Sequence, residues 1–156
     1  SMNENRYARQ LALPDVGSAG QAKLAAACIV IIGAGGLGVP ALTYLVGAGI
    51  GHIRLVDNDR VAIHNLHRQV LFNEADEGQY KVAVAARKMA ALNSEVVVEA
   101  INERLIASNC KALLTQRYLP ALKQATHLCL GGRHERLYGR FLPACTQLPS
   151  AVSQPP

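Results

Sequence analysis

Residues 28–38 read CIVIIGAGGLG, and their order decides the fold. Cys28 to Ile32 form an unbroken apolar, largely β-branched run. That pattern suits a strand buried on both faces of a parallel sheet, not one with a wet face. Gly33, Gly35 and Gly38 follow at once and lead into a helical pattern, here read from about Gly36 to Val46. Pro40 falls in its first turn, where a missing N–H costs little. Gly33 allows a tight turn, Gly35 lets the backbone approach phosphate oxygens, and Gly38 lets the helix pack against the strand. The helix start adds free N–H groups and positive potential. A second strand, HIRLVD, ends at Asp57, where a carboxylate can accept both ribose hydroxyls. Strand, glycine loop, helix and acid in this order make a nucleotide site.

The residues after Asp57 select the nucleotide. Asp59 lies two positions on and has no purpose beside a nicotinamide dinucleotide. Beside a triphosphate it can hold magnesium, directly or through water, because that ion takes oxygen ligands. The segment NLHRQ supplies an amide at Asn65 and a guanidinium at Arg68 within one short loop. Lys81 stands at the start of a helix, where a cation opposes the helix dipole unless an anion is present. A triphosphate carries about four negative charges, and Arg, Lys, metal and a helix N-terminus together offset them. His64 and His67 stand three apart in the same loop.

The rest of the chain alternates helix and strand. RYARQLAL and SAGQAKLAAA read as helices broken by Pro14 and Gly17. From Gln79 to Asn93, apolar Val82, Ala85, Ala86, Met89 and Leu92 recur at helical spacing, with Asp76 and Gln79 as a capping-box start. VVVEAIN and THLCLGG read as a third and a fourth strand, and residues 107–125 as helical, interrupted at Pro120. The expected architecture is α/β, a Rossmann-like, doubly wound, mainly parallel sheet with an N-terminal helical segment. Residues 1–27 form that segment, 28–132 the nucleotide-binding domain and 133–156 a divergent tail. At 156 residues the chain is one domain's worth. Five Tyr, two Phe and no Trp leave the core to small aliphatic side chains. A net charge of +5 without a basic run suits phosphate or an acidic partner and argues against nucleic acid. No long uncharged apolar stretch exists, so a membrane span is not expected. The start SMNENRYARQ lacks the apolar core of a signal peptide. The four cysteines form no C-x-x-C pair, which disfavours zinc and suggests reduced thiols in a cytoplasmic protein.

Three blocks together resemble the ThiF/MoeB/HesA family, the bacterial relatives of ubiquitin-activating enzymes. They are RYARQLALPDVGSAGQAKL, VIIGAGGLGVPALTYLVGAGIGHIRLVDNDRVAIHNLHRQVLF and ADEGQYKVAVAARKMAALNSEVVVEAINERL. The likeness runs from Arg6 to about Leu105 and rests on R-Y-x-R-Q, G-x-G-G-L-G, V-D-x-D, N-L-x-R-Q and G-x-x-K in this order. The resemblance implies ATP and magnesium as cofactors. It also implies adenylation of the C-terminal glycine of a small ubiquitin-like sulfur carrier protein ending in Gly-Gly. By motif, Gly33, Gly35, Gly36 and Gly38 would line the nucleotide, Asp57 would hold the ribose, and Asp59 would lie near the metal. Asn65, Arg68 and Lys81 would bind the triphosphate, with Gln69 among the nucleotide-binding residues. Arg6, Arg68 and Lys81 would form the catalytic set, with Arg6 reaching across a homodimer into the neighbouring subunit's site.

The likeness breaks after the third strand. GGRHER stands where the family pattern has D-x-T-D-N, and Glu135 is the only acid nearby. Arg133 and Arg136 attract phosphate but cannot ligate a cation. The 156-residue chain is therefore expected to adenylate poorly while keeping its nucleotide loop. A non-catalytic ATP-binding or dimerisation module derived from the family is the alternative. A nicotinamide-dependent oxidoreductase is a distant third, because nothing after Asp57 resembles a hydride-transfer site.

Overall fold

A computed structural model describes residues 4–114 and 127–130. Helix α1 (Glu4–Leu11) and helix α2 (Gly17–Ala26) precede strand β1 (Cys28–Ile32). Then come α3 (Gly38–Ala48), β2 (His52–Val56), two 3-10 turns (Ile63–Asn65 and Glu74–Asp76), α4 (Lys81–Leu92) and β3 (Val97–Ile101). Helix α5 (Ala107–Leu114) and strand β4 (His127–Leu130) complete the described chain. Pro120, GGRHER with Arg133, Glu135 and Arg136, and the 133–156 segment lie outside the described residues.

The sheet is four-stranded in the order β3-β2-β1-β4, and every pairing is parallel. The chain winds outward from β1 through β2 to β3, then returns to the other side of β1. That reversal puts the topological switch point at the carboxyl ends of β1 and β4, where doubly wound folds take their ligands. All five residues of β1 are buried, as the unbroken apolar run predicts. Ile29 and Ile31 pack with α3 and α4 in a cluster that includes Val39, Leu42, Val46, Val82 and Met89. Val30 and Ile32 face the opposite side with Val56, Ile101, Cys110 and Leu113. On that second face Arg54 is buried, bonded to Glu99 at 2.6 Å and to the Leu113 carbonyl at 2.7 Å. Register pairs Arg54 with Glu99 on neighbouring strands.

Polar bonds fasten the N-terminal helices to the amino-terminal edge of the sheet. The Asn93 amide donates to Tyr7 Oη and to the Val46 carbonyl, both at 2.9 Å. Buried Gln21 donates to Ala48 O at 2.9 Å and accepts from Gln10 at 2.8 Å. These bonds satisfy helix-terminal carbonyls that would otherwise lie unpaired. Burial pushes the Cys28 thiol up, against the Arg54 charge and with that of Glu99. Cys28 is buried and outside any disulfide, whereas Cys110 is disulfide-bonded, so the expectation of reduced thiols does not hold at Cys110.

Several boundaries differ from the sequence reading, and α3, at Gly38–Ala48, lies two residues later than expected at both ends. Helix α4 begins at Lys81, two residues later than expected, because Gln79 and Tyr80 are held in an antiparallel ribbon. The Val61 amide donates to Gln79 O at 2.8 Å, and Arg60 bridges Tyr80. The capping box also lies one step earlier. Asp76 accepts from the Asn73 amide at 3.0 Å and closes the short turn Glu74–Asp76, instead of pairing with Gln79 to start α4.

Candidate nucleotide site

The glycine loop joins β1 to α3. Gly33 has φ +99°, a left-handed value that favours glycine, and its amide donates to Val56 O at 2.8 Å. A Cβ on Gly38 would sit 1.7 Å from the Gly33 carbonyl oxygen, so α3 lies directly on the loop backbone. Leu37 at the N-cap offers no side-chain acceptor, and the first turn of α3 carries no acid. The positive end of the helix is thus left to an outside anion.

Asp57 ties this loop to the segment after β2. Its Oδ2 accepts from the Ala34 amide and its Oδ1 from the Asp59 amide, each at 2.7 Å. An ionised carboxylate offers about four lone-pair sites, so two remain open to a ligand's donors. The NLHRQ segment comes back under the loop. The Arg68 stem passes beside Gly36, with Cγ and Cδ 3.7 Å from where a Cβ there would be. Gln69 Nε2 takes the same position against Gly35, also at 3.7 Å. Arg68 Nη2 donates to Asn65 Oδ1 at 3.0 Å, and Nη1 lies 3.3 Å from His67 Nε2. His67 Nδ1 in turn lies 3.1 Å from the His64 carbonyl. Both histidines thus belong to the support of Arg68. Among the described residues, buried Gln69 Oε1 has no hydrogen-bond partner.

Asp59 and Lys81 meet through the ribbon that delays α4. The Lys81 amide donates to Asp59 O at 3.0 Å, and Gly78 and Val61 pair at 2.9 Å. Arg60 stacks over Tyr80 at 3.8 Å from the ring centroid and donates to Gly78 O at 2.7 Å. This clasp escapes sequence reasoning, because Arg60 and Tyr80 are twenty positions apart without a motif. It leaves Lys81 3 % exposed, with its Nζ 3.5 Å from Asp59 Oδ2.

Asp76 anchors the loop from below, and only the N-x-x-D spacing at 73–76 hints at it. It accepts from Arg87 at 3.2 Å and from Lys88, whose Nζ also reaches Leu71 O at 2.7 Å. Burial alone would raise the Asp76 carboxyl, but the Lys88 and Asn73 hydrogen bonds and the Lys88 and Arg87 charges outweigh it. They hold it below the ordinary value of 3.8. A depressed carboxyl stabilises the fold fully above its unfolded value and loses that effect as pH falls through the folded value. Asp76→Asn is therefore expected to lower Tm by about 5 °C or more at pH 7, with a difference that shrinks as pH falls below the ordinary carboxyl value of 3.8. An equal difference at pH 7 and pH 3, followed by calorimetry, would count against this anchor.

The structure brings together Gly33, Gly35, Gly36, Gly38, Asp57, Asn65, Arg68 and Gln69, and joins Asp59 and Lys81 to them through Asp57. Arg6 is not among them. Its Nη1 donates to Leu92 O at 2.9 Å, at the end of α4 that leads into the start of β3. That is the opposite edge of the sheet from the glycine loop. Among the described residues no group of three or more His, Cys, Asp or Glu side chains is placed to hold a metal.

A model of the ThiF family matches residues 7–119. The chain belongs to the ThiF family. Among its relatives, the sulfur carrier protein adenylyltransferase of Thermus thermophilus is 50% identical over 110 residues, 70% of this chain and 41% of that protein. The adenylyltransferase and sulfurtransferase MOCS3 of Anopheles gambiae is 46% identical over 109 residues, 70% of this chain and 25% of that one. The chain thus spans well under half the length of these curated relatives. E. coli MccB, solved with AMPCPP and MccA, shares the fold at a TM-score of 0.76 and 31% identity, over 96% of this chain and 44% of MccB. The Rossmann-type architecture is thus that of the family.

Proposed function

We propose that the site binds ATP with magnesium and serves adenylation of the C-terminal glycine of a small ubiquitin-like sulfur carrier protein ending in Gly-Gly. The observation that carries this reading is the buried Lys81 ammonium, linked to the glycine loop through Asp59 and Asp57 and held, among the described residues, by one carboxylate at 3.5 Å. A buried cation so thinly paired suits a site that takes polyanionic phosphate. The activity named for the Thermus relative and the AMPCPP in MccB support the same choice.

In this reading α3 and the glycine amides take the inner phosphates, and Asp57 takes the ribose. Arg68, steadied by Asn65 and His67, and Lys81 take the outer phosphates, and Gln69 turns its unpaired oxygen toward the nucleotide. Asp59 fits magnesium as an exposed oxygen donor, because that ion is usually held by one or two carboxylates together with phosphates and water. Magnesium bound there supplies charge neutralisation on the phosphates. No nucleophile from this chain is required. The carrier's own carboxylate attacks the α-phosphorus as the bond to pyrophosphate breaks, while Arg68 and Lys81 hold the departing charge in line.

Calorimetry is expected to show Mg-ATP binding more tightly than NAD, and NAD at least as tight would sink the reading. Carrier-dependent ATP–pyrophosphate exchange tests the chemistry. The second reading, a non-catalytic module, draws on GGRHER, which brings arginines where the family pattern has an acid. ATP binding without any exchange would select it.

The same reading includes a cytoplasmic homodimer in which Arg6 acts on the neighbouring subunit's nucleotide. It is supported by the placement of α1 at the edge away from its own glycine loop. Among the described residues, no helix is long and apolar enough to cross a membrane. Sedimentation is expected to give a dimer at micromolar concentration. Arg6→Ala is expected to slow exchange about tenfold or more, and mixing it with Lys81→Met chains should restore part of the rate. A monomer, or no complementation, would remove Arg6 from the site.

A further inference from the structure

We infer that Asp59 stores the Lys81 ammonium in the ligand-free site and gives it up to nucleotide phosphate in exchange for a divalent cation. The inference rests on the nucleotide reading above. Lys81 is the first residue of α4 and its side chain is 4 % exposed, whereas that of Asp59 is 65 % exposed. Among the described residues Asp59 is the only hydrogen-bonding partner of Lys81 Nζ, and the contact is long at 3.5 Å. An ammonium has three donors, so two are left unspent in a buried position. Burial at so little compensation is costly unless other acceptors arrive. Phosphate oxygens would fill that need, but they would approach a neighbouring carboxylate of the same sign.

The two residues are locked in register by their backbones. Lys81 N donates to Asp59 O, and Asp59 N donates to Asp57 Oδ1. Neither can drift away, so the exchange happens at the side chains alone. A cation on Asp59 removes the repulsion toward phosphate and frees Lys81 in the same step. Asp59 thus couples nucleotide affinity to the divalent ion through Lys81.

The test is calorimetric ATP binding, in EDTA and in magnesium, to the full chain and to Asp59→Asn, Lys81→Met and the double variant. Asp59→Asn keeps the backbone contacts of an exposed position and should fold, and thermal melting of each ligand-free protein checks this. Metal-free ATP is expected to bind Asp59→Asn about threefold to tenfold more tightly than wild type. The gain from magnesium should shrink by a similar factor. In the Lys81→Met background the metal-free gain should be smaller by about threefold, because no stored ammonium is left to release. Asp59→Glu, which keeps the charge, should keep the magnesium dependence. An equal gain with and without Lys81 overturns the storage role and leaves simple repulsion. An unchanged metal-free affinity in Asp59→Asn overturns it in favour of plain metal ligation. Wild-type chain that binds no ATP under either condition overturns the nucleotide reading and this inference with it.

Discussion

Gly38→Ala is expected to cost more than about 4 kcal/mol of stability, enough to leave much of the chain unfolded at 25 °C. A Cβ at this position would lie 1.7 Å from the Gly33 oxygen and 2.9 Å from its carbonyl carbon. Both are backbone atoms, and neither can swing aside. Gly33 is itself pinned by the hydrogen bond its N–H donates to Val56 O and by its positive φ. Relief would require lifting α3 off β1, and with it buried Val39, Leu42 and Val46. Gly51→Ala should be comparably damaging at the opposite edge, where the added Cβ would lie 1.8 Å from Ala25 O. Gly35→Ala should cost under about 1 kcal/mol, because the nearest atom is the Gln69 side chain at 3.7 Å. Urea unfolding of the three variants checks the order. A Gly38→Ala chain as stable as wild type would mean that α3 does not rest on the loop as described.

Lys81→Met is expected to weaken Mg-ATP about thirtyfold to a hundredfold while changing AMP by less than about threefold. The outer phosphates are the proposed partners of Lys81, and AMP lacks them. The ligand-free protein should melt at the same temperature or higher, since an apolar side chain replaces a buried, thinly paired ammonium. Lost affinity together with retained or raised stability is a pattern that general damage to the fold does not produce. Calorimetry with ATP and AMP, alongside a thermal melt, reads both halves. Equal losses for ATP and AMP would place Lys81 away from the outer phosphates.

Much of this protein was legible because its informative signals are local. The run at 28–32 and the glycines at 33, 35 and 38 specify strand, turn and helix within eleven residues, and β1 is buried throughout. The acid at 57 follows one strand later and meets the loop amide of Ala34. The NLHRQ segment announced a polar loop, and Arg68 and Gln69 do lie beside Gly36 and Gly35. Helix ends were less legible. The start of α4 depends on a ribbon between residues 59–61 and 78–81, and such pairing leaves no local pattern.

By itself the sequence determined the α/β alternation, the glycine turn and the polar residue types gathered behind it. These follow from side-chain period and backbone sterics, which act over a few residues. Tertiary structure alone decided that Asp59 and Lys81, 22 positions apart, share one ion pair, that Arg60 closes over Tyr80, and that Asp76 holds two cations of α4. It also decided that Arg6 docks on Leu92 O, because the carbonyls at the end of α4 need donors that only a distant segment supplies. Burial sets how strongly a charge seeks its partner, and burial is a property of the packed chain.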